Sequence, residues 1–376
     1  MQMGIAMVGC GYAADFYMAH LPNHPQLNLA GVYDKNDDRL KAFCAKHSVR
    51  PFDSLANLIN DAGVELVVNL TNPSQHYPVS LAALEAGRHV YSEKPFALNL
   101  EEGRRLIDVA RRKGVQLASA PCSLLGDHAQ TVWAALRKGE AGRPLLAMVE
   151  LHEGMIHKML HERWVSASGA VWPYRDEFQT GCVLEHGGYI ISWLTAFFGG
   201  IEDLTASSQV MVPDKRAGAG LGPDFSCTVL RFANGVTARI TFSIIAPPDH
   251  RLMIVGDEGV LEVEDIWDFD SPVFIRRGVM PDAANPSNYL GTRTVYPVSR
   301  GPERKFRYYD SHNIDWMRGV AELAEAVRAG ERSRLSGDRA LHILEATLAV
   351  SDARGRESYH RIETPFESVE PMTWAQ

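Results

Sequence analysis

The chain has few cysteines, no long apolar run and no large excess of charge of either sign. Its five cysteines are scattered, odd in number and without a C-x-x-C pair, which argues against a disulfide framework and a zinc knuckle. No apolar stretch approaches the roughly 20 residues that span a bilayer. The net charge of −8, with acids and bases well mixed, argues against a nucleic-acid groove or a basic membrane-binding face. We therefore expect a small-molecule partner, no nucleic acid and no membrane.

The sequence also lacks internal repeats and low-complexity segments. An apolar strand pattern begins within the first few residues, which leaves no room for a signal peptide, so we expect a cytoplasmic protein. The length of 376 residues, 45% of them hydrophobic, exceeds the size at which a single core stops growing. Two domains are therefore expected.

The most informative stretch is MGIAMVGCGYAADF near the start of the chain. An apolar run at residues 5–8 leads into Gly9, Gly11 and Ala14, spaced as G-x-G-x-x-A. Such a turn lets a buried strand reverse sharply, a pyrophosphate approach the backbone, and a helix N-terminus face the phosphates. We predict a dinucleotide-binding turn formed by Gly9, Gly11, Tyr12, Ala13 and Ala14.

A second buried strand pattern, LNLAGVYD, ends at Asp34, about 25 residues after the first glycine. A carboxylate at this position accepts hydrogen bonds from the adenosine ribose and disfavours a 2′-phosphate. We therefore expect NAD as the cofactor. Lys35 and Arg39 stand close enough to keep NADP possible.

Strand and helix patterns alternate from the N-terminus to about residue 121, which is typical of a parallel sheet covered on both faces. Asn99 and Glu102 predict a capping box for a helix over Leu100–Lys113, which Gly114 ends. We assign residues 1–125 to a doubly wound, parallel Rossmann domain that binds NAD(P). The other predicted elements are strands at 5–8, 29–33, 66–70, 89–92 and 115–120 and helices after residue 14 and near 39–47 and 78–86.

After about residue 126 the strand patterns become longer and alternate with period two. Apolar and polar residues alternate over 236–244, and Asn234-Gly235 just before them predicts a hairpin turn. We assign residues 126–376 to an α+β domain with a large, mostly antiparallel open sheet that binds substrate and joins subunits into a homodimer or homotetramer. Its further predicted elements are strands at 229–232, 252–255, 260–263, 273–275 and 292–296 and helices at 184–198, 313–329 and 338–353.

Polar residues follow two neighbouring strands of the predicted parallel sheet. Thr71, Asn72, Pro73 and His76 follow one, and Glu93-Lys94 follows the next, so they share the carboxyl edge where such sheets bind ligands. Pro95 keeps Lys94 extended at the strand tip. A lysine with a lowered pKa beside a nicotinamide can exchange the proton that accompanies hydride transfer. We predict that Thr71, Asn72, Pro73, His76, Glu93 and Lys94 bind cofactor and that Lys94 is also catalytic.

The combination of GCGYAA, Asp34, TNPSQH, GRHVYSEKP and GCVLEHGGY resembles the Gfo/Idh/MocA oxidoreductases over nearly the whole chain. That family commonly has G-G-x-L-x-D-x-G-x-H as its second motif, with an aspartate that orients and a histidine that acts as acid/base. Here Glu185 stands in place of the aspartate and Tyr189 in place of the histidine.

The resemblance implies that Tyr189 is the general acid/base, Lys94 its electrostatic partner and Glu185 the orienting carboxylate. We expect the lysine ammonium to lower the pKa of the phenol below its usual value of about 10. On a helix His186 and Tyr189 pair at i and i+3, so His186 is an alternative acid/base.

The segment LHEGMIHKMLHERW contains three histidines, which are expected to line the substrate cleft together with nearby aromatic and arginine residues. These residues are His152, His157, His161, Arg163, Trp164, Trp172, Tyr174 and Arg175. Aromatic faces stack on sugar C–H surfaces and arginines bind hydroxyls or carboxylates. We expect no metal, because hydride transfer needs none. The predicted substrate-binding residues are Lys94, Arg163, Trp172, Arg175, His186 and Tyr189.

We therefore expect an NAD(P)-dependent oxidoreductase that transfers hydride between nicotinamide and the carbinol or carbonyl carbon of a sugar, polyol, cyclitol or sugar acid. A tightly bound cofactor that is reduced and reoxidised in one cycle, with net isomerisation, epimerisation or glycosidic cleavage, is one alternative. A non-catalytic NAD-sensing regulator is another.

Overall fold

A computed structural model describes residues 2–281, 283–307, 312–354 and 358–376. Its first part is a five-stranded sheet in the order β2-β1-β3-β4-β5, with every neighbouring pair parallel. The predicted doubly wound parallel sheet is confirmed. The strands are β1 (Met3–Val8), β2 (Leu27–Tyr33), β3 (Leu66–Asn69), β4 (His89–Ser92) and β5 (Leu117–Ser119), and the helices are α1 (Tyr12–His20), α2 (Asp37–His47), α3 (Leu55–Asn60), α4 (Pro73–Glu85) and α5 (Leu100–Lys113).

Capping residues and a proline mark the ends of two helices in this part. The Asn99 side chain accepts a hydrogen bond from the Glu102 N–H at 2.9 Å, and Gly114 ends α5 in the left-handed region, both as predicted. The Glu102 carboxylate accepts from the Leu98 N–H, one residue before the N-cap. The predicted start of α4 near residue 78 is wrong: Pro73 occupies the first helical turn, where a missing N–H costs nothing, and α4 continues through Pro78.

The second part is built on a nine-stranded sheet in the order β13-β12-β11-β10-β6-β9-β8-β7-β14. The β6 and β9 strands pair in parallel and the other neighbouring pairs are antiparallel, so the predicted mostly antiparallel sheet is confirmed. The strands are β6 (Pro144–His152), β7 (Ile201–Gln209), β8 (Phe225–Phe232), β9 (Thr237–Ser243), β10 (Leu252–Gly256), β11 (Gly259–Val263), β12 (Val273–Arg277), β13 (Thr294–Tyr296) and β14 (Ser358–Arg361), and the helices are α6 (Asp127–Arg137), α7 (Tyr174–Thr180), α8 (Cys182–Phe198), α9 (Arg318–Ala329) and α10 (Gly337–Asp352).

One face of this sheet packs on helices. The inward residues of β9 are buried as the alternation predicted, and Gly235 makes the β8–β9 turn with a φ of 87°. The helix predicted at 313–329 begins only at Arg318, after an irregular segment. No helix among the described residues combines the length and the apolar character that crossing a membrane requires.

The C-terminal helices return to the parallel sheet. The Ser119 N–H donates to the Leu335 carbonyl at 3.0 Å, so the chain before α10 extends the edge of β5. Leu341 and Leu344 of α10 pack with the core beneath α5, where Gly103 leaves room for them. Residues 318–352 therefore contact both parts, and the division into 1–125 and 126–376 stays a prediction.

Candidate active site

The glycine turn between β1 and α1 has the shape that a dinucleotide requires. Gly9 has a φ of +100°, and a Cβ atom there would lie 2.6 Å from the Leu70 carbonyl oxygen. A Cβ atom at Gly11 would meet nothing within 4 Å, so open space adjoins the N-terminus of α1. Ala14 is fully buried against the sheet. These residues fit a pyrophosphate placed at the helix N-terminus.

Asp34 joins the end of β2 to this turn. Its carboxylate accepts hydrogen bonds from the Cys10 N–H and the Asn36 N–H, both at 2.8 Å. Arg39 lies 3.5 Å from the same carboxylate, and both it and Lys35 are exposed. Oδ2 accepts from both Cys10 and Arg39, whereas Oδ1 accepts from Asn36 and keeps a lone pair for a ribose hydroxyl. The preference for NAD over NADP stays a prediction.

The loops after β3 and β4 meet at the carboxyl edge of the sheet. His76 is buried between them, with its ring nitrogens 2.6 Å from the Pro95 carbonyl oxygen and 2.7 Å from that of Thr71. Burial lowers the pKa of His76, and the hydrogen bonds to the two carbonyl oxygens oppose that lowering without reversing it. His76 thus connects the two loops. Its direct contact with a cofactor stays a prediction. The Asn72 amide donates across the cleft to Asp176 of α7.

Lys94 lies at the tip of β4 and points into the cleft between the two sheets. Its ammonium donates to the Glu185 carboxylate of α8 at 2.6 Å, and its side chain is 18% exposed. Glu93 has other partners: its carboxylate accepts hydrogen bonds from the Tyr17 hydroxyl at 2.6 Å and from the Lys94 N–H at 3.0 Å. The two sequence motifs therefore meet, with the lysine of one paired to the carboxylate of the other.

The expected lowering of the Lys94 pKa is wrong. Burial alone would lower it, but the surrounding acidic groups, of which Glu185 acts most strongly, outweigh burial and raise the pKa of Lys94 well above its ordinary value. The lysine therefore starts as an ammonium ion, which can donate a proton.

The expected lowering of the Tyr189 pKa is also wrong. Tyr189 is 3% exposed, and burial raises the pKa of its phenol well above 10, while the Lys94 ammonium opposes that rise without reversing it. Its ring lies 5.4 Å from that of Trp267. The phenol is thus a neutral hydroxyl that can donate a hydrogen bond.

His186, the alternative acid/base, forms an ion pair with Glu153, just past the end of β6, at 2.7 Å. Burial alone would raise the pKa of Glu153, but His186, His312 and His250 lower it to about 2. The Trp267 ring lies 4.1 Å from that of His250 and 4.4 Å from that of His312. A buried carboxylate and several imidazoles therefore stand beside Tyr189.

The other predicted substrate residues are less clearly placed. Trp172 packs against Trp164 at 4.9 Å between ring centres and against His161 and Phe178. Arg163 and Arg175 are exposed, so their contact with substrate stays a prediction. The described residues contain no group of three or more His, Cys, Asp or Glu side chains that could hold a metal ion.

Sequence reasoning missed several residues that the fold brings to this site. Glu153 follows a strand that was not predicted, and its neighbours lie far away in the sequence, so no spacing pattern connects them. Glu177 stands one helical turn before Gly181, outside the recognised motif. The missed residues are Glu153, Glu177, His250, Trp267 and His312.

A Rossmann domain with a glycine turn, and a lysine at its carboxyl edge paired with a carboxylate from a second, open-sheet domain, define an NAD(P)-dependent oxidoreductase. The model of the oxidoreductase family with an NAD-binding Rossmann fold matches residues 3–120, and the model of the GFO/IDH/MocA C-terminal domain matches residues 129–262. Together they cover about two thirds of the chain. The chain belongs to the Gfo/Idh/MocA family, which confirms the resemblance.

Among characterised relatives, the chain is similar to trans-1,2-dihydrobenzene-1,2-diol dehydrogenase of Macaca fuscata fuscata, with 24% identity over 68% of this chain and 73% of the relative. It is also similar to scyllo-inositol 2-dehydrogenase (NADP(+)) of Bacillus subtilis, with 23% identity over 80% of this chain and 79% of the relative. Among solved structures, an oxidoreductase from Agrobacterium radiobacter in complex with NAD+, L-tartaric acid and magnesium has a TM-score of 0.77 at 18% identity, covering 96% of this chain and 99% of that one. The last likeness concerns the fold alone.

Proposed function

We propose that this protein is a dehydrogenase that transfers hydride between nicotinamide and a carbinol or carbonyl carbon of a sugar, polyol, cyclitol or sugar acid. The observation that carries the proposal is the 2.6 Å pair of Lys94 and Glu185 at the carboxyl edge of the NAD-binding sheet. A bound nicotinamide supplies or accepts the hydride, and the protein must then give or take one proton at the substrate oxygen.

The roles of the site residues follow from their protonation. In carbonyl reduction the Lys94 ammonium donates a proton to the substrate oxygen, whereas in carbinol oxidation the lysine must first lose that proton before its amine can take one from the substrate; Glu185 orients the lysine. Tyr189 donates a hydrogen bond to the same oxygen, because burial keeps its phenol neutral. The His186 ring nitrogen Nε2 lies 2.7 Å from the Glu153 carboxylate, so we assign His186 to substrate binding in preference to proton transfer.

The substrate class rests on the site and on the relatives. The relatives named above are dehydrogenases of a dihydrodiol and of an inositol, both of which carry neighbouring hydroxyl groups. Glu153 and the histidines around it offer acceptors and donors for such hydroxyls. A cyclic substrate with vicinal hydroxyls fits this arrangement.

The test is a screen of cofactor reduction. Purified protein is incubated with NAD+ or NADP+ and with inositols, aldoses, aldonic acids and cyclic vicinal diols, and the reduced nicotinamide is measured by absorbance. We expect turnover with at least one cyclic polyol and a preference for NAD+. Turnover only with substrates that lack vicinal hydroxyls would contradict the proposed class.

A second candidate is the bound-cofactor enzyme, and contacts that span the cleft favour it. The Ser168 hydroxyl donates to Asp15 in α1 at 2.7 Å, and the Asn72 amide donates to Asp176. Both contacts connect the second domain to segments that border the predicted cofactor site. Nicotinamide released only on denaturation, together with no net cofactor turnover in the screen, would favour this candidate over the dehydrogenase.

A further inference from the structure

Helix α7 brings a second acidic side chain to the Lys94–Glu185 pair. The Glu177 side chain lies close enough to those of Glu185 and Lys94 for both groups to shift the pKa of its carboxyl group. The backbone carbonyl of Glu177 accepts from the Gly181 N–H, which fixes α7 against the start of α8. Two carboxyl groups and one lysine therefore share one site, in which Glu185 is buried and Lys94 and Glu177 are partly buried.

The two oxygens of Glu185 have different partners. Oε2 accepts from the Lys94 ammonium at 2.6 Å. Oε1 is buried, and no N–H or hydroxyl group of the described residues donates to it. A buried carboxylate oxygen without a donor is costly, and two ionised carboxylates cannot hydrogen-bond to each other. A protonated Glu177 supplies the missing donor.

We propose that Glu177 is a neutral carboxylic acid at neutral pH, that it donates its proton to Glu185 Oε1, and that it thereby leaves the two carboxyl groups with one negative charge opposite Lys94. Glu177 is then a positioning residue that acts on Lys94 through Glu185. The protonation state itself does not depend on the proposed function, whereas its effect on turnover does.

The surrounding charges agree with this assignment. Burial is the largest influence on the pKa of Glu177, and with the charges of Glu185 and Glu153 it outweighs Lys94 and raises that pKa well above its ordinary value. The pKa of Glu185 is lowered, because Lys94, the Glu177 hydrogen bond and His186 together outweigh burial. The ionisable groups that act on the three members from the surrounding elements are Glu93, Glu153, His186 and Tyr189.

The protonation state of Glu177 affects how firmly Lys94 holds its proton. When Glu177 loses its proton at high pH, a second negative charge faces the Lys94 ammonium and holds its proton more firmly. Carbonyl reduction needs that proton, so its rate should fall as the pH rises through the pKa of Glu177. The pKa of Glu177 thus determines the pH at which the rate of carbonyl reduction falls on the alkaline side of the profile.

The first test is infrared spectroscopy of the protein without substrate or cofactor. We expect the difference spectrum of wild type minus Glu177→Gln at neutral pH to contain the C=O stretch of a protonated carboxylic acid. In wild type this band should disappear reversibly as the pH rises. The pH titration of wild type alone tests the proposal even if the variant does not fold. Absence of the band at neutral pH would overturn the proposal.

The second test is the pH profile of carbonyl reduction by the same variant. The glutamine amide can donate to Glu185 Oε1 but cannot lose a proton, so the alkaline limb should move upward by at least one pH unit, which corresponds to a tenfold change in the relevant equilibrium constant. An unchanged alkaline limb would count against the proposal.

Two comparisons complete the design. Glu202→Gln makes the same chemical change at an exposed position of β7 and should alter neither the infrared band nor the limb. Glu177→Asp keeps a titratable acid and should return the alkaline limb towards its wild-type position. A protein with the infrared band but no activity in the substrate screen would refute the proposed function and leave the assignment of Glu177 intact.

Discussion

At the scale of single residues, the lysine and the tyrosine of the site hold their protons more firmly than the sequence predicted. Lys94 and Tyr189 both stay protonated. Acidic neighbours raise the pKa of the Lys94 ammonium, and burial raises the pKa of the Tyr189 phenol. Histidines lower the pKa of Glu153, and Lys94 is the main group that lowers the pKa of Glu185 against the effect of burial. The residues around the expected substrate oxygen are therefore poised to donate hydrogen bonds and protons.

Replacing Tyr189 with phenylalanine tests whether the phenol titrates. The rate of hydride transfer should fall on the order of tenfold, because one hydrogen bond to the reacting oxygen is lost. Both limbs of the pH–rate profile should stay where they are in wild type, since the phenol remains neutral throughout the accessible range. Loss of a limb in Tyr189→Phe would show that the phenol ionises during the reaction.

The residues that could be predicted are those that belong to a motif. Lys94 and Glu185 could be assigned because each stands in a short pattern with its own structural reason: a proline after a strand tip and a glycine-led helix. Glu177 and Glu153 come from segments without such a pattern, so their place in the site depends on how the strands pair. The direction of the Lys94 pKa could not be predicted without knowing how many carboxyl groups surround it.

At the scale of elements, a short hairpin links the two domains. We call this hairpin, residues 164–172, the strap. An antiparallel bridge between Val165 and Val171 joins its two arms. The tip of the strap reaches the first turn of α1, where Asp15 accepts from the N–H and the hydroxyl of Ser168 at 3.0 and 2.7 Å. Burial alone would raise the pKa of Asp15, but hydrogen bonds from Ser166, His47 and Ser168 outweigh burial and lower it. The strap is therefore anchored to an ionised carboxylate beside the cofactor turn.

Replacing Ser168 with alanine should weaken this anchor. Loss of one hydrogen bond to a charged group costs about 1.5–3 kcal/mol, so we expect the dissociation rate of NADH to rise about tenfold or more. The measurement is stopped-flow displacement of NADH followed by fluorescence. Ser287→Ala, at an exposed position elsewhere, is the matched control. Equal dissociation rates in wild type and Ser168→Ala would show that the strap does not retain the cofactor.

Elements with regular patterns could be predicted and irregular ones could not. The β9 alternation and the cap of α5 are strong local signals, and both elements appear where expected. β7 was missed because its register shifts between Ile201 and Asp203, and its inward positions include small and polar residues. β14 is a short, polar edge strand whose only named partner strand is β7, so no local signal precedes its pairing.

At the scale of the whole molecule, the outer face of the nine-stranded sheet stays the proposed subunit interface. This face carries paired charges, including Arg239 with Glu150 at 2.7 Å and Arg276 with Glu262 at 3.2 Å. A flat surface of interleaved ion pairs can match a second copy of itself about a two-fold axis. Sedimentation of the protein should give a homodimer or homotetramer, and a monomer at micromolar concentration would refute this interface.

The Glu153 ion pair predicts how the stability of the whole protein depends on pH. The pKa of Glu153 is lowered to about 2 in the folded protein, so its stabilising contribution is present above its unfolded pKa of about 4.3 and is lost as the pH falls towards 2. The full contribution is about 3 kcal/mol. Glu153→Gln should therefore lose less free energy of unfolding over this window than wild type, as measured by urea denaturation at several pH values. Equal losses would contradict the low pKa of Glu153.

The most direct test of the account is the rate of hydride transfer in Lys94→Ala, measured by rapid mixing with saturating cofactor and a substrate found in the screen. General acid catalysis typically contributes 10²–10⁴-fold, and we expect a loss of that size. Binding of NADH, titrated by fluorescence, should stay within about threefold of wild type, since the glycine turn is untouched. A hydride-transfer rate in Lys94→Ala equal to that of wild type would contradict the claim that this lysine moves the proton.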